Sequence, residues 1–192
     1  MTIKHLNLKT FKNQNFDKHQ TLERGEYENC TFNNCNFSGQ YFSNNIFREC
    51  NFISCDLSMM LIENAVLNDV KFKDCKLLGV KFNKCSDFLF SVHFENCILN
   101  LSSFYKLKLK KIIFKNCKLQ EVDFSETDLT SSLFENCDLE RAVFDRTILE
   151  KADFVSSYNY SINPENNRVK KARFSLHGLP GLLEKYGIEI KH

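Results

Sequence analysis

Nowhere in this chain is there an apolar run approaching the ~18 residues that a membrane-spanning helix needs. The opening MTIKHLNLKTFKNQNF also lacks the apolar stretch of a secretory signal. The expectation is a soluble, cytoplasmic protein with no membrane contact. Glycine is scarce, at six residues, and neither a Gly-rich phosphate loop nor an HExxH helix occurs, which argues against a nucleotide cradle or a zinc protease. CxxC pairs are missing too. The five histidines, His5, His19, His93, His177 and His192, are scattered, so no metal-ligand spacing exists. A surplus of one charge is also missing: 26 basic and 24 acidic residues leave +2, which by itself selects neither nucleic acid nor membrane as a partner. No cofactor, metal or catalytic residue is singled out, and the chain is expected not to be an enzyme.

What is present is a repeat. An apolar residue recurs at every fifth position from Tyr27 through Phe32, Phe37 and Phe42 to Phe82. The frame then slips by two residues and resumes at Leu89, Phe94, Leu99 and Phe104, alternating Leu and Phe as far as Phe154. Two residues before each centre lies a second register of small side chains, among them Cys30, Cys35, Cys50, Cys55, Ala65, Cys75, Cys97, Ser102, Cys117, Thr127, Cys137 and Ala152. A spacing of two puts both residues on one side of an extended segment and turns the residue between them outward. The remaining two residues are often Asn, Gly, Ser or charged, as at Asn33 and Asn34 or Ser38 and Gly39, and suit a bend. A period of five fits neither a helix nor a long strand, so the chain must coil. All nine cysteines follow the small inward register, Cys85 beside the slip included, and read as buried, reduced packing residues. At the slip, residues 83–88, Asp87 stands where the earlier frame wants a centre and Phe88 faces out. A functional corner loop and a bulge that merely bends the rod both fit.

TFNNCNFSG, ENCDLERAVF and QEVDFSETDLTSS closely resemble the pentapeptide-repeat family, and the likeness covers residues 25–156. It implies an all-β fold, a right-handed quadrilateral β-helix with four repeats per coil. With strands stacked about 4.8 Å apart the repeats make a rod roughly 30 Å long. A single domain over 1–192 follows: an N-terminal capping segment at 1–24, the β-helix at 25–160 with the slip at 83–88, and a C-terminal part at 161–192. That last part holds a loop, a late repeat at Ala172 and Phe174, and a capping or dimerisation helix. The helix is expected to start at Pro180, to offer Leu182, Leu183 and Tyr186 as its apolar face, and to stop at Gly187. Ile188 and Ile190 read as a short strand.

Function has to lie on the outside. Residues 70–120 carry a net +8 and residues 121–160 a net −7, fields that can steer a partner. Asp123, Asp128, Asp138 and Asp153 hold the outward slot and are the candidate acidic partner-binding residues. Outward apolar residues, Tyr41, Ile46, Leu61, Val66, Val143 and Ile148, are expected to form a stripe on two neighbouring faces. The tail LLEKYGIEI, with NCTFNNCNFSG and CDLSM earlier, resembles the Qnr quinolone-resistance branch. That resemblance implies a protein-binding homodimer joined through Leu179, Leu182, Leu183, Tyr186, Ile188 and Ile190. It also implies a type II topoisomerase, chiefly DNA gyrase, as the partner, bound by imitating duplex DNA and so protected from quinolones. The chain departs from that branch in its near-neutral charge and in having one two-residue slip where the branch has two projecting loops. The alternatives are a scaffold for another protein and direct nucleic-acid binding through Lys71, Lys73, Lys76, Lys106, Lys108, Lys110, Lys111, Lys115 and Lys118. Those lysines match no known motif, and direct nucleic-acid binding is the disfavoured reading.

Overall fold

The computed structural model describes residues 8–189. Strand registers fix the coil: Asn51 pairs with Lys71 and Phe52 with Phe72, so the chain returns to the same face every 20 residues, or four repeats. On the first face lie β1 (Lys9–Lys12), β3 (Gly25–Glu28), β5 (Ile46–Arg48) and β7 (Val66–Asn68), all parallel. The second face holds β2 (Asn15–Asp17), β4 (Thr31–Asn33), β6 (Asn51–Ile53), β8 (Val70–Lys73), β9 (Val92–Glu95), β10 (Ile113–Lys115) and β11 (Leu133–Glu135). Single-residue parallel bridges build the third face, as at Asp56 and Lys76, and the fourth, as at Ser103 and Asp123.

The alternation of Leu and Phe has a geometric meaning on this square. Opposite faces carry the same residue, so Phe from faces two and four meet Leu from faces one and three inside the rod. Face two stacks Phe16, Phe32, Phe52, Phe72, Phe94, Phe114, Phe134, Phe154 and Phe174, with successive ring centroids 4.5 to 5.4 Å apart. Offset stacking of this kind adds to the burial term. In the small register of face three, Cys35, Cys55, Cys75, Cys97, Cys117 and Cys137 form a column that ends in Ser157. Each of these thiols has a carbonyl of the preceding coil within reach, as Cys97 Sγ has Phe72 O at 3.3 Å, and Ser157 Oγ donates to Phe134 O at 2.7 Å. A small side chain that can donate a hydrogen bond fits there. All nine cysteines are free and buried.

The corners need the left-handed backbone conformation, and most are made without glycine: Asn96, Asn116 and Asn136 sit at φ 54°, 53° and 52°. Asn tolerates this region better than most residues. Here the amides also form a ladder up one edge, Asn136 donating to Asn116 at 3.0 Å, Asn116 to Asn96 at 3.0 Å and Asn96 to Asp74 at 2.9 Å.

At the amino end, Phe11 stacks on Tyr27 at 4.7 Å and Phe16 on Phe32 at 4.8 Å, so residues 9–17 add strands to faces one and two. At the slip, the two inserted residues make a turn that projects from the rod. Asp87 and Phe88 are exposed, Phe88 by 68%, and the Phe90 N–H closes the turn on Asp87 O at 3.5 Å. Leu89 does not resume the inward frame as expected. It takes φ 56° and is 59% exposed, while Phe90 turns toward the core and meets Phe82 edge-on. Regular stacking returns with Val70 opposite Val92.

The tail contains the short helix α1 (Pro180–Leu183), flanked by 3-10 turns at Leu176–Gly178 and Glu184–Tyr186, and Gly187 at φ 60° ends it. It docks on the last coil by close backbone approach: the Ile162 N–H donates to Gly181 O at 2.9 Å, and a Cβ on Gly181 would stand 1.9 Å from Tyr160 O. Ile188 and Glu189 are irregular where a short strand was expected, and Ile190 lies outside the described residues. Among the described residues no helix is long and apolar enough to cross a membrane.

Candidate functional site

The inside of the rod is filled, so any function belongs to the outer columns and the corners. Among the described residues no His, Cys, Asp or Glu side chains gather in a set that could hold a metal ion. An open cleft of about 940 Å³ lies between the tail and the last coils, lined by Arg141, Tyr160, Leu183 and Ile188 among others.

The four candidate aspartates do not share a face. Asp123 is on face four, Asp128 on face one, Asp138 on face three and Asp153 on face two, so Asp123, Asp128 and Asp138 ring one coil and Asp153 stands one coil on. Their chemistry is partly structural. In each, Oδ1 accepts the backbone N–H two residues ahead: Ser125 at 2.9 Å, Thr130 at 3.0 Å, Glu140 at 3.2 Å and Val155 at 3.0 Å. These Asx turns hold the corner that follows, a role the sequence pattern did not expose. Their charges are also engaged. Asp153 meets Arg173 at 2.7 Å, Asp128 meets Lys110 at 3.3 Å, and Asp138 accepts from Gln120 at 2.7 Å and Asn159 at 2.9 Å. Burial alone would push the Asp128 carboxyl up. The Thr130 hydroxyl and amide and the Lys110 ammonium outweigh it and hold the group below its usual range.

Sorting all charges by face reveals what their order along the chain hides. Faces three and four, with the corners beside them, carry Glu121, Asp123, Glu126, Asp138, Glu140 and Asp145 in two adjacent coils. Arg141, bound to Glu121 at 3.2 Å, Arg146, bound to Glu126 at 3.0 Å and Asp145 at 3.1 Å, and Lys106, bound to Glu126 at 3.5 Å from the coil before, offset them in part, and Lys118 neighbours Asp138 on face three. This acidic surface combines two of the expected aspartates, Asp123 and Asp138, with four other acids; Asp128 and Asp153 lie on faces one and two.

The lysines named from sequence are dispersed: Lys71, Lys73 and Lys115 on face two, Lys76 and Lys118 on face three, Lys108 on face one, Lys106 between faces four and one, Lys110 and Lys111 between faces one and two. The expected apolar stripe is broken. Tyr41 and Leu61 give way on face four to Lys81, Ser103 and Asp123 before Val143, and Ile46 and Val66 give way on face one to Lys108 and Asp128 before Ile148. An apolar edge does exist beside Tyr41 and Leu61, where Met59, Leu78 and Leu101 are 59%, 38% and 47% exposed.

Of the expected dimer residues, Leu179, Tyr186 and Ile188 are exposed by 41%, 55% and 55%, whereas Leu182 packs against the core and Leu183 is half-buried. Tyr186 donates to Glu165 at 2.7 Å, and Lys185 pairs with the same carboxylate. Asp87 and Phe88 stand out at the slip, far in the repeat from this tail.

A filled, stacked rod whose variable chemistry is all external defines a repeat-protein interaction scaffold. The sequence matches the family described as pentapeptide repeat region over residues 26–86 and 88–159. The chain belongs to that family, and its fold is the right-handed quadrilateral β-helix. Among solved structures it is similar to full-length QnrB1, a plasmid-mediated fluoroquinolone resistance protein. That match has 19% identity and TM-score 0.57 and covers 94% of this chain and 100% of the other. It also matches HetL, a pentapeptide repeat protein involved in heterocyst differentiation regulation from Nostoc sp. strain PCC 7120, at 12% identity and TM-score 0.25 over 87% of this chain and 84% of that one. No curated protein matches the sequence.

Proposed function

We propose that this chain works without catalysis, by presenting its acidic faces three and four to a type II topoisomerase, DNA gyrase, and protecting that enzyme from quinolones. The observation that carries the reading is the cluster of six acids on two adjacent coils of a rigid rod, a surface suited to imitating the charge of duplex DNA. The fold shared with QnrB1 supports it. Such a partner places the protein in the cytoplasm. Because the aspartates also hold corners, the informative change is Asp to Asn, which keeps the Asx turn and removes the charge. Purified protein is expected to restore gyrase supercoiling in the presence of a fluoroquinolone, and Asp123→Asn/Asp138→Asn/Asp145→Asn to need at least about tenfold more protein for the same rescue, a loss of about 1.4 kcal/mol. Neither rescue nor inhibition by the unmodified protein would dismiss gyrase as the partner.

The same proposal makes the protein a homodimer through the tail, with Leu179, Tyr186 and Ile188 as the contact. Sedimentation equilibrium is expected to show a dimer that Leu179→Glu/Ile188→Glu converts to a monomer. An unmodified chain that stays monomeric at micromolar concentration would end this part of the reading. A second reading rests on the apolar edge of Tyr41, Met59, Leu61, Leu78 and Leu101, which favours a scaffold role toward another protein and does not involve the acidic coils.

A further inference from the structure

One corner of the rod departs from the charge rule followed along most of its length. Charged side chains one coil apart are generally paired with opposite sign: Arg48 with Glu26, Glu95 between Lys73 and Lys115, Glu126 between Lys106 and Arg146, Arg173 with Asp153. Between faces one and two the rule lapses. Lys110, Lys111, Lys151, Lys170 and Lys171 line this corner, and all are exposed. Lys151 and Lys171 hold the same left-handed corner position, φ 60° and 61°, in successive coils, a register set by the pairing of Ile148 with Arg168 and Asp153 with Arg173. Lys111 holds it two coils earlier, with Ser131 between.

Lys110 alone among the five has an acidic partner among the described residues, Asp128 at 3.3 Å. The acid at this corner, Glu150, is taken by Arg168 at 2.6 Å. Two other like-charged steps exist, Glu49 near Asp69 and Lys84 near Lys106; Lys106 has Glu126 at 3.5 Å to relieve the second, and the first is a step between acids. A row of unrelieved ammonium groups is unfavourable to the isolated rod, and a polyanion would relieve it.

We propose that this lysine corner binds the phosphodiester backbone of duplex nucleic acid without reading base sequence. The row spans four coils, about 14 Å at the strand spacing, a length over which a duplex presents several phosphates. Ser131 fills the gap in the row with a hydroxyl that can donate to a phosphate oxygen, the Thr130 hydroxyl beside it being given to Asp128 at 2.6 Å, and no apolar side chain occupies the corner positions from 110 to 171. The absence of apolar groups there favours a phosphate backbone over a lipid surface, whose binding draws on buried apolar area. The corner lies diagonally across the square from the corner that carries Glu121 and Glu140, so it does not overlap the surface assigned to the topoisomerase.

The test is fluorescence anisotropy of a labelled duplex of random sequence, titrated with the full chain at several salt concentrations. Binding is expected to weaken with salt. The variant Lys111→Gln/Lys151→Gln/Lys171→Gln should bind at least about tenfold more weakly and show a log–log salt slope shallower by roughly 2 to 3, near 0.9 per lost phosphate contact. Lys71→Gln/Lys76→Gln/Lys118→Gln removes the same charge from other faces and should bind within about twofold of the unmodified chain. No duplex binding by the full chain at low salt, an equal loss in both variants, or attachment to anionic phospholipid vesicles without attachment to the duplex would each overturn the proposal. A failure of gyrase rescue leaves this result untouched, because the two surfaces are separate.

Discussion

Replacing Phe114 by alanine is expected to cost about 3–5 kcal/mol and to be among the most damaging single substitutions in the rod. Phe114 is fully buried, stacks on Phe94 at 5.4 Å and Phe134 at 5.1 Å, and meets Phe104 and Phe124 edge-on at 5.7 and 5.8 Å. Four ring contacts vanish at once, and the cavity lies where two coils clasp a third. Neighbouring rings cannot close it, because the strand ladder fixes their spacing. In a solenoid each coil is held only by its neighbours, so the loss weakens the coupling between the two halves as well as the coil itself. Phe16→Ala, at the half-buried end of the same column, should cost about 1–2 kcal/mol, from roughly half the burial of a full side chain. Urea unfolding of the two variants checks this. A midpoint shift for Phe114→Ala no larger than that for Phe16→Ala would show that the column does not act as a continuous stack.

Stability is also expected to fall steeply as the pH rises above about 9. Burial pushes the Cys50 thiol up to about 12 and that of Cys35 up to about 11. At Cys75 a hydrogen bond with Cys55 pulls the value down, but the hydrogen bond with Cys97 and burial outweigh it and leave the thiol at about 12. The Cys55 thiol is raised by its bond with Cys75 and by burial, and Cys85 by burial. An unfolded chain holds these thiols near 9.0. Below that pH both states keep their protons and stability is complete. Above it the unfolded chain releases protons that the folded chain retains, so stability drains away until the folded values are reached, a window from about 9 to 12 for Cys50 and Cys75. At pH 10 each such thiol costs about 1.4 kcal/mol, and Cys35, Cys50 and Cys75 together about 4 kcal/mol. Urea midpoints measured at pH 8, 9 and 10 should show this slope, and Cys35→Ala/Cys50→Ala/Cys75→Ala should flatten it. A slope unchanged in the triple variant would assign the alkaline loss to other groups.

The core was legible because inward residues repeat with the period of the backbone itself: every centre from Phe32 to Phe82 and from Phe94 to Phe154 is buried. Leu89 misled because it lies five residues before Phe94, which extends the second frame backward. Closing the inserted turn required a left-handed residue there, and a side chain on that corner points to solvent. The aspartates were recognisable as outward residues, but their Asx turns depend on an N–H two residues ahead, which a charge count does not register. Surfaces were least legible. Counting by segment separates a basic middle from an acidic end, whereas the folded rod separates charge by corner. Sorting positions 111, 131, 151 and 171 by the coil length would have exposed the lysine row, but the coil length came from the family resemblance, and Lys171 lies beyond Phe154, where the run of centres fades. The tail was read as one apolar helical face, yet α1 spans only Pro180–Leu183, and a helix so short directs Leu182 toward the rod and leaves Leu179 outside.

The coil length also governs which insertions and deletions the gene can absorb. Inside the rod one repeat is nearly equivalent to the next, so losing five residues leaves a chain that can still coil and fill its core. Everything beyond the deletion, however, is turned by a quarter of a revolution, and surfaces that cooperated along one side come to point in different directions. Losing 20 residues, the spacing that separates Asn51 from Lys71, shortens the rod and keeps every remaining surface aligned. Selection on a binding surface should therefore favour length changes in whole coils, while selection for folding alone would accept single repeats. The two extra residues at 87–88 avoid the problem by looping out, since Phe72 still meets Phe94 directly above it.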